Sequence, residues 1–173
     1  MSALDQFVPL NIAVLTVSDT RTRDNDSSGD YLDGALRAVG HRVAAREIVR
    51  DNIYAMRAIV SQWIADDSID GALITGGTGF TGRDSTPEAI RPLLDKEMPG
   101  FGELFRQISV QEIGTASLQS RAFAGLANGT FVFALPGSTS ACRTAWENIL
   151  KSQFDARTRP CNLVGLKPRL HER

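Results

Sequence analysis

The sequence predicts an α/β fold, namely a three-layer α/β/α sandwich whose sheet is mostly parallel with one antiparallel strand. Strand-like and helix-like segments alternate along the 173 residues. Residues 11–17 form a nearly continuous apolar run, which is typical of a strand buried on both faces. Near the C-terminus, Asn128-Gly129 separates two apolar runs. This is a strong hairpin signal, and it predicts the antiparallel strand.

The other elements follow in chain order. Apolar residues at helical spacing from Leu32 predict a helix that stops at Gly40, and RVAAREIV predicts a second strand. Asn52 is suited to cap the next helix, after which DGALIT forms a third strand. Helices over STPEAIRPLL and GFGELFRQISVQEIG precede the hairpin, and a last helix begins near Ser138. We expect one domain over residues 1–173, with a core from about 7 to 156 and an irregular tail.

Charge and composition exclude several classes of protein. Nineteen basic and twenty acidic residues give a net charge of -1, which excludes a domain held to nucleic acid by bulk charge. The apolar runs are far shorter than the roughly 18 to 20 residues that span a bilayer. The N-terminus has no basic region typical of a secretory signal, and two cysteines are too few for a disulfide framework. We therefore expect a cytoplasmic protein with neither nucleic acid nor membrane as partner.

A glycine-rich loop, TGGTGFTGRDSTPE, follows the third strand. Glycines at 76, 77, 79 and 82 are more than a tight strand-to-helix turn needs, and they favour a nest of amides that binds an anion. A helix that begins near Thr86 aims its N-terminal amides at the same space. Gly77, Gly79 and Gly82 formally match a dinucleotide fingerprint, but the match follows the third strand instead of the first. The Gly-Lys-Ser/Thr of a P-loop is absent.

Two aspartates follow strands at this edge of the sheet. Asp84 ends the glycine loop, and Asp51 directly follows the second strand. Either could simply cap the helix after it. A carboxylate beside a phosphate site would repel its ligand unless a metal ion bridged the two, as Mg²⁺ does in nucleotide-handling sites. Metal-assisted chemistry explains the presence of both aspartates on one rim better than it explains either aspartate taken alone. The absence of a His or Cys cluster argues against a zinc site, and a Ser-His-Asp triad has no good candidate.

The carboxyl ends of parallel strands meet at one edge, where such sheets bind ligands. We therefore expect the loops after Val17, Thr75 and Leu135 to form one pocket. The predicted catalytic and metal-binding residues are Asp51 and Asp84. The predicted substrate-binding residues are Ser18, Asp19, Ser28, Gly29, Gly76, Gly77, Thr78, Gly79, Thr86, Pro136, Gly137 and Ser138.

Four segments, TGGTGFTGRDSTPEA, SDTRTRDNDSSGDYL, EIVRDN and LPGSTSACRTAWENI, carry a family resemblance. Together they resemble the MoaB and MogA proteins of molybdenum cofactor biosynthesis, most closely bacterial MoaB. The resemblance spans about Phe7 to Cys161, with the segments in the family's order.

The resemblance implies a MogA-like α/β/α domain that binds molybdopterin and assembles as a homo-oligomer, a trimer or a hexamer. It also implies Mg²⁺-dependent transfer of AMP from ATP to the molybdopterin phosphate, with release of pyrophosphate, and it assigns that chemistry to Asp51 and Asp84. An alternative is a molybdopterin-binding carrier without catalysis on the same fold. A dinucleotide-dependent oxidoreductase is disfavoured by the misplaced fingerprint.

Overall fold

A six-stranded sheet forms the centre of the structure, a computed structural model that describes residues 6–172. The strands are β1 (Asn11–Val17), β2 (Arg42–Val49), β3 (Gly71–Thr75), β4 (Lys96–Glu97), β5 (Phe123–Ala127) and β6 (Thr130–Leu135). Their order is β2-β1-β3-β6-β5-β4. β1 pairs in parallel with β2 and β3, and β3 pairs in parallel with β6. β5 runs antiparallel to both β6 and β4, so β5 alone opposes the sheet direction.

The helices are α1 (Ser27–Ala38), α2 (Ile53–Ala65), α3 (Thr86–Ile90), α4 (Pro99–Ile113), α5 (Thr139–Ala145) and α6 (Lys151–Gln153). A π-helical turn, Trp146–Leu150, joins α5 to α6, and 3-10 turns cover Arg91–Leu93, Gly114–Gln119 and Val164–Arg169. No helix within residues 6–172 is long and apolar enough to cross a membrane.

Two apolar cores, one on each face of the sheet, confirm the three-layer architecture. Ile12 and Val14 of β1 pack on the face covered by α1, α4 and α5, where Trp146 is 1% exposed. The alternate β1 residues Ala13 and Leu15 pack on the opposite face, against α2 and α3. Since successive side chains of a strand point to opposite faces, a strand between two helical layers must be apolar throughout. This is why β1 is recognisable from its sequence.

Local sequence signals account for most of the element ends. Asn52 and Ser138 accept hydrogen bonds from the backbone amides three residues on and so cap α2 and α5. Asn128 (φ 46°) and Gly129 (φ 83°) form the tight β5–β6 turn, as predicted. The helix predicted over STPEAIRPLL is much shorter than expected, because α3 ends at Ile90 and a 3-10 turn containing Pro92 follows. Proline lacks the N–H that continues an α-helix.

Candidate functional site

One pocket lies at the carboxyl edge of the parallel strands. The loops after β1, β3 and β6 meet there around a cavity of about 450 Å³. The Gly76 amide donates to the Leu135 carbonyl at 3.0 Å and ties the second loop to the third. Gly137 lies so close to the Gly76 backbone that an added Cβ would stand 3.2 Å from its Cα. The strand order thus brings together three loops that are far apart in the sequence.

The glycine loop is held from the side away from this pocket. Thr86 donates to two successive carbonyls, with its hydroxyl to Gly76 at 2.8 Å and its amide to Gly77 at 2.9 Å. Arg121 binds the next two, with its amide to Thr78 at 2.9 Å and its Nε to Gly79 at 2.7 Å. In a planar trans peptide, the N–H points opposite to the carbonyl of the same unit. The N–H groups of Gly77 and Thr78 therefore point toward the pocket, as an anion site requires, while the Gly79 amide donates to Asp84.

Glycine is needed at the start of this loop for two reasons. Gly76 and Gly77 have φ of 109° and 64°, a backbone region that other L-residues rarely adopt. A side chain at Gly76 would also collide with the Val17 carbonyl, and one at Gly77 would lie 2.8 Å from a carboxylate oxygen of Asp51. Glycine at both positions therefore lets the loop backbone pack directly against the Val17 carbonyl and beside the Asp51 carboxylate.

Asp84 lies on the pocket wall and is held by its own turn. Its Oδ2 accepts from the Thr81 amide at 2.8 Å and from the Thr81 hydroxyl at 2.7 Å. Burial opposes its ionisation, but these hydrogen bonds, one from the Gly79 amide and the charge of Arg121 hold the pKa of the carboxyl below its usual value. Asp84 therefore carries a full negative charge at neutral pH. It also lines a neighbouring outer cavity of about 330 Å³, together with Phe80 and Arg121.

Asp51 binds Ser85, the residue after Asp84, and does not itself line the pocket. The Ser85 amide donates to Asp51 Oδ2 at 3.2 Å, and the Ser85 hydroxyl donates to Oδ1. Asn52, not Asp51, caps α2, and Ser85 stands in the cap position of α3. Neither aspartate caps the helix that follows it, so capping does not explain this pair.

The donor set of the two aspartates fits a Mg²⁺ ion that arrives with a substrate. Both side chains offer carboxylate oxygens, the ligands that this ion prefers. Within residues 6–172, no three His, Cys, Asp or Glu side chains group as a metal site. A magnesium ion here would thus need substrate phosphate oxygens in its coordination shell, as is usual in nucleotide-handling sites.

The remaining predicted residues divide between the pocket wall and the layer behind it. The wall includes Ser18, Ser28, Gly76, Gly77, Thr78, Gly79, Pro136, Gly137 and Ser138. Thr86 is fully buried behind the glycine loop, and Gly29 packs against Asp26. Asp19 faces outward to Arg83, whose Nη2 lies 2.7 Å from its Oδ1, and this hydrogen bond lowers the pKa of Asp19. Asp19 therefore links the first loop to the glycine loop instead of lining the pocket.

Asp26 is a buried carboxylate behind the pocket wall that sequence reasoning missed. It is fully buried, caps α1 through the Gly29 amide at 3.0 Å and accepts from the Thr16 hydroxyl at 2.8 Å. Arg46 Nη2 approaches its Oδ2 at 2.9 Å. Burial opposes its ionisation, but these partners together hold the pKa of the Asp26 carboxyl below its usual value. Since Thr16 and Ser28 line the pocket and both contact Asp26, this buried carboxylate orients one pocket wall.

The sequence also did not predict a second wall of the pocket, which comes from α4 and the 3-10 turn after it. It contributes Phe105, Ser109, Glu112, Ile113, Gln119 and Ser120. Thr144 of α5 donates to Glu112 Oε1 at 2.7 Å and joins this wall to the third loop. The helical pattern of α4 signalled its buried face, but no local signal indicated that its C-terminal end lies over the pocket.

Cys142 lies beneath the pocket and has no role as a nucleophile. Its Sγ is buried, 3.2 Å from the hydroxyl of Thr75. Burial raises the pKa of the thiol to about 11, so it stays protonated at neutral pH. Thiolate, not thiol, is the reactive form of cysteine.

Fold and site together define an α/β protein whose pocket, at the carboxyl edge of the parallel strands, is lined by a glycine-rich loop and by the carboxylate of Asp84. A family model described as a probable molybdopterin binding domain matches residues 13–156. Molybdenum cofactor biosynthesis protein B of Escherichia coli K12 is 58% identical over 157 residues, which cover 91% of this chain and 92% of that protein. The chain belongs to the MoaB/MogA family of molybdenum cofactor biosynthesis proteins.

Solved structures agree with this assignment. A crystal structure of a molybdenum cofactor biosynthesis protein B has a TM-score of 0.85 and 38% identity, covering 96% of this chain and 98% of that one. The tungsten cofactor synthesizing protein MoaB of Pyrococcus furiosus has a TM-score of 0.76 and 38% identity, covering 84% and 93% of the two chains. The predicted fold class is confirmed.

Proposed function

We propose that this protein binds molybdopterin and transfers AMP to it from Mg-ATP, releasing pyrophosphate. The observation that carries the proposal is the position of Asp84, an ionised carboxylate that lines both the main pocket and the outer cavity beside it. A reaction that joins two phosphorylated substrates needs two adjoining spaces and, between them, a group that can hold a charge-compensating cation. The amide row of the glycine loop supports phosphate binding on the same wall.

In this reaction an oxygen of the molybdopterin phosphate attacks the α-phosphorus of ATP and forms a new P–O bond. The bond from that phosphorus to the bridging oxygen breaks, and pyrophosphate leaves with the electron pair. The glycine-loop amides would orient the attacking phosphate, while Asp84 and Asp51 would hold the metal ion. Magnesium, when bound, supplies positive charge that stabilises the developing charge on pyrophosphate.

The decisive variant is Asp84→Asn. Asparagine keeps the size of the side chain and still accepts hydrogen bonds from Thr81, but it lacks the charge that binds a cation. We expect turnover to fall by about 10²-fold or more, the scale seen when one electrostatic stabiliser is removed. Pyrophosphate release from ATP, measured with and without molybdopterin, is the assay.

The matched control is Asp67→Asn, an exposed carboxylate remote from the pocket, which should leave turnover unchanged. Near wild-type turnover of Asp84→Asn at limiting Mg²⁺ would refute the role of Asp84 in holding the metal ion. Wild-type protein that binds molybdopterin but releases no pyrophosphate would instead establish the alternative, a carrier without catalysis.

Self-association is part of the proposed function. The segment formed by α4 and the following turn exposes apolar side chains to solvent, with Leu104 at 43%, Val110 at 47% and Leu118 at 80%. Large exposed apolar side chains on one segment are typical of interaction surfaces. We expect a homo-oligomer, a trimer or a hexamer, and light scattering that finds only a single 18.8 kDa chain at micromolar concentration would refute it.

A further inference from the structure

The two ends of the pocket differ in chemistry. At one end lie the amides of Gly77 and Thr78, the hydroxyl of Ser18 and the carboxylate of Asp84, a set that suits a phosphate bound together with a cation. At the other end lie Glu112, Gln119 and the faces of Phe105 and Ile113. A carboxylate at this second end repels phosphate and accepts hydrogen bonds from N–H donors. The pocket is therefore polarised along its length.

We infer that Glu112 recognises the aminopyrimidinone edge of the pterin and is the specificity-determining residue of this pocket. This inference rests on the proposed binding of molybdopterin. The edge of a 2-amino-4-oxo-pteridine carries two adjacent donors, the 2-amino group and N3–H. A carboxylate accepts from two adjacent N–H donors in parallel, as it does from arginine, and such charge-assisted pairs are strong and directional.

The position of Glu112 supports this role. Its Oε1 lies 2.7 Å from the hydroxyl of Thr144, which is 4% exposed, and the single proton of that hydroxyl is shared between Glu112 and the Ser140 carbonyl at 3.0 Å. The hydroxyl thus anchors the carboxylate to the pocket wall. Thr144 follows Ser138 by six residues of helix. Thr144 therefore lies about 9 Å along α5 from Ser138, at a rise of about 1.5 Å per residue, so the carboxylate that it holds is displaced from the third loop.

The side chains around Glu112 suit a flat heterocycle. Phe105, 2% exposed, closes the base of the lining, and Ile113, 55% exposed, follows Glu112 on the same wall. Ligand pockets of this kind combine apolar faces with a few polar groups that fix orientation. Glu112 would fix which end of the pterin enters the α4 side, and so would direct the phosphate toward Asp84.

The test compares a pterin with the matching lumazine, in which a 2-oxo group replaces the 2-amino group. The probes are the fluorescent 6-hydroxymethylpterin phosphate and 6-hydroxymethyllumazine phosphate. We expect the wild-type protein to bind the pterin about tenfold or more tightly, the size of one charge-assisted hydrogen bond. Glu112→Gln still accepts from Thr144 but presents an amide N–H to the ligand. It should lose about tenfold in pterin affinity and gain in lumazine affinity.

Glu103→Gln is the control, since Glu103 lies on the same helix, is exposed and does not line the pocket. It should leave both affinities unchanged. A wild-type protein without preference, or equal losses for both ligands in Glu112→Gln, would overturn the inference, because a purely structural role lowers both. If the short probes bind too weakly to compare, molybdopterin itself decides, and an affinity unchanged by Glu112→Gln overturns the inference. A wild-type protein that binds no molybdopterin overturns the proposed function as well.

Discussion

Asp26 and Asp30 both contact the guanidinium of Arg46, so they test whether burial or distance decides how much an ion pair stabilises the fold. Arg46 Nη2 lies 2.9 Å from Asp26 and 2.7 Å from Asp30, so distance alone favours Asp30 as the stronger partner. The Asp26 side chain is 0% exposed, however, while that of Asp30 is 59% exposed. Solvent screens an exposed pair to about 0–1 kcal/mol, whereas breaking a buried pair costs about 3–5 kcal/mol.

We expect Asp26→Asn to lower the free energy of unfolding by about 2–3 kcal/mol. This is less than a full buried-pair loss, because asparagine still caps α1 and Arg46 keeps Asp30 as a partner. Asp30→Asn should cost under about 1 kcal/mol. For a chain of this length, 1 kcal/mol corresponds to about 2–4 °C in Tm. Asp26→Asn should therefore lower Tm by about 4–12 °C.

Urea and thermal unfolding followed by circular dichroism measure both variants. Since the folded-state pKa of Asp26 is lowered, its contribution is fully present above the unfolded pKa. It is lost as the pH falls through the folded pKa. The gap between wild type and Asp26→Asn should be constant near neutral pH and should shrink only in acid. An Asp30→Asn cost equal to or above that of Asp26→Asn would refute the argument from burial.

Two further predictions concern the glycine loop and the opposite edge of the sheet. Gly77→Ala should lower the free energy of unfolding by about 1–2 kcal/mol, because alanine is strained at this positive φ, and it should also weaken phosphate binding. Gly82→Ala, with open space around the residue, should change neither stability nor phosphate binding. A stable, fully binding Gly77→Ala variant would contradict the loop geometry. His41 is buried, accepts from the Leu10 amide at 3.1 Å and has a pKa lowered by burial. The free energy of unfolding should therefore fall as the pH drops below about 6.5, because His41 takes up a proton in the unfolded state first. Denaturant unfolding should show a smaller fall in His41→Gln than in the wild-type protein.

The elements that the sequence predicts well are those whose signal is local. β1 is apolar throughout because helices cover both of its faces, and the β5–β6 turn needs the positive φ that Asn128-Gly129 adopts. The pattern of three loops at one edge follows from the parallel strand direction. These features depend on periodicity and turn chemistry, which a single sequence contains.

The features that escaped prediction depend on contacts between distant segments. Asp26 stands in a loop of consecutive polar residues, and only the approach of Arg46 from β2 makes it a buried partner. The end of α4 reaches the pocket through the bond between Glu112 and Thr144, two residues from different helices. The two-residue strand β4 exists only because its neighbour β5 pairs with it. No local pattern encodes such long-range packing.

The anchoring of the glycine loop by Thr86 and Arg121 has a thermodynamic consequence. The guanidinium of Arg121 also binds the Asp84 carbonyl and the Glu88 carboxylate, so one side chain immobilises the whole turn. Fixing the backbone of one residue costs about 1–2 kcal/mol of conformational entropy. For this loop, folding bears that cost before any ligand arrives. An incoming phosphate would meet amides that are already oriented, so none of its interaction energy would be spent on ordering this loop and no ordering step would slow association.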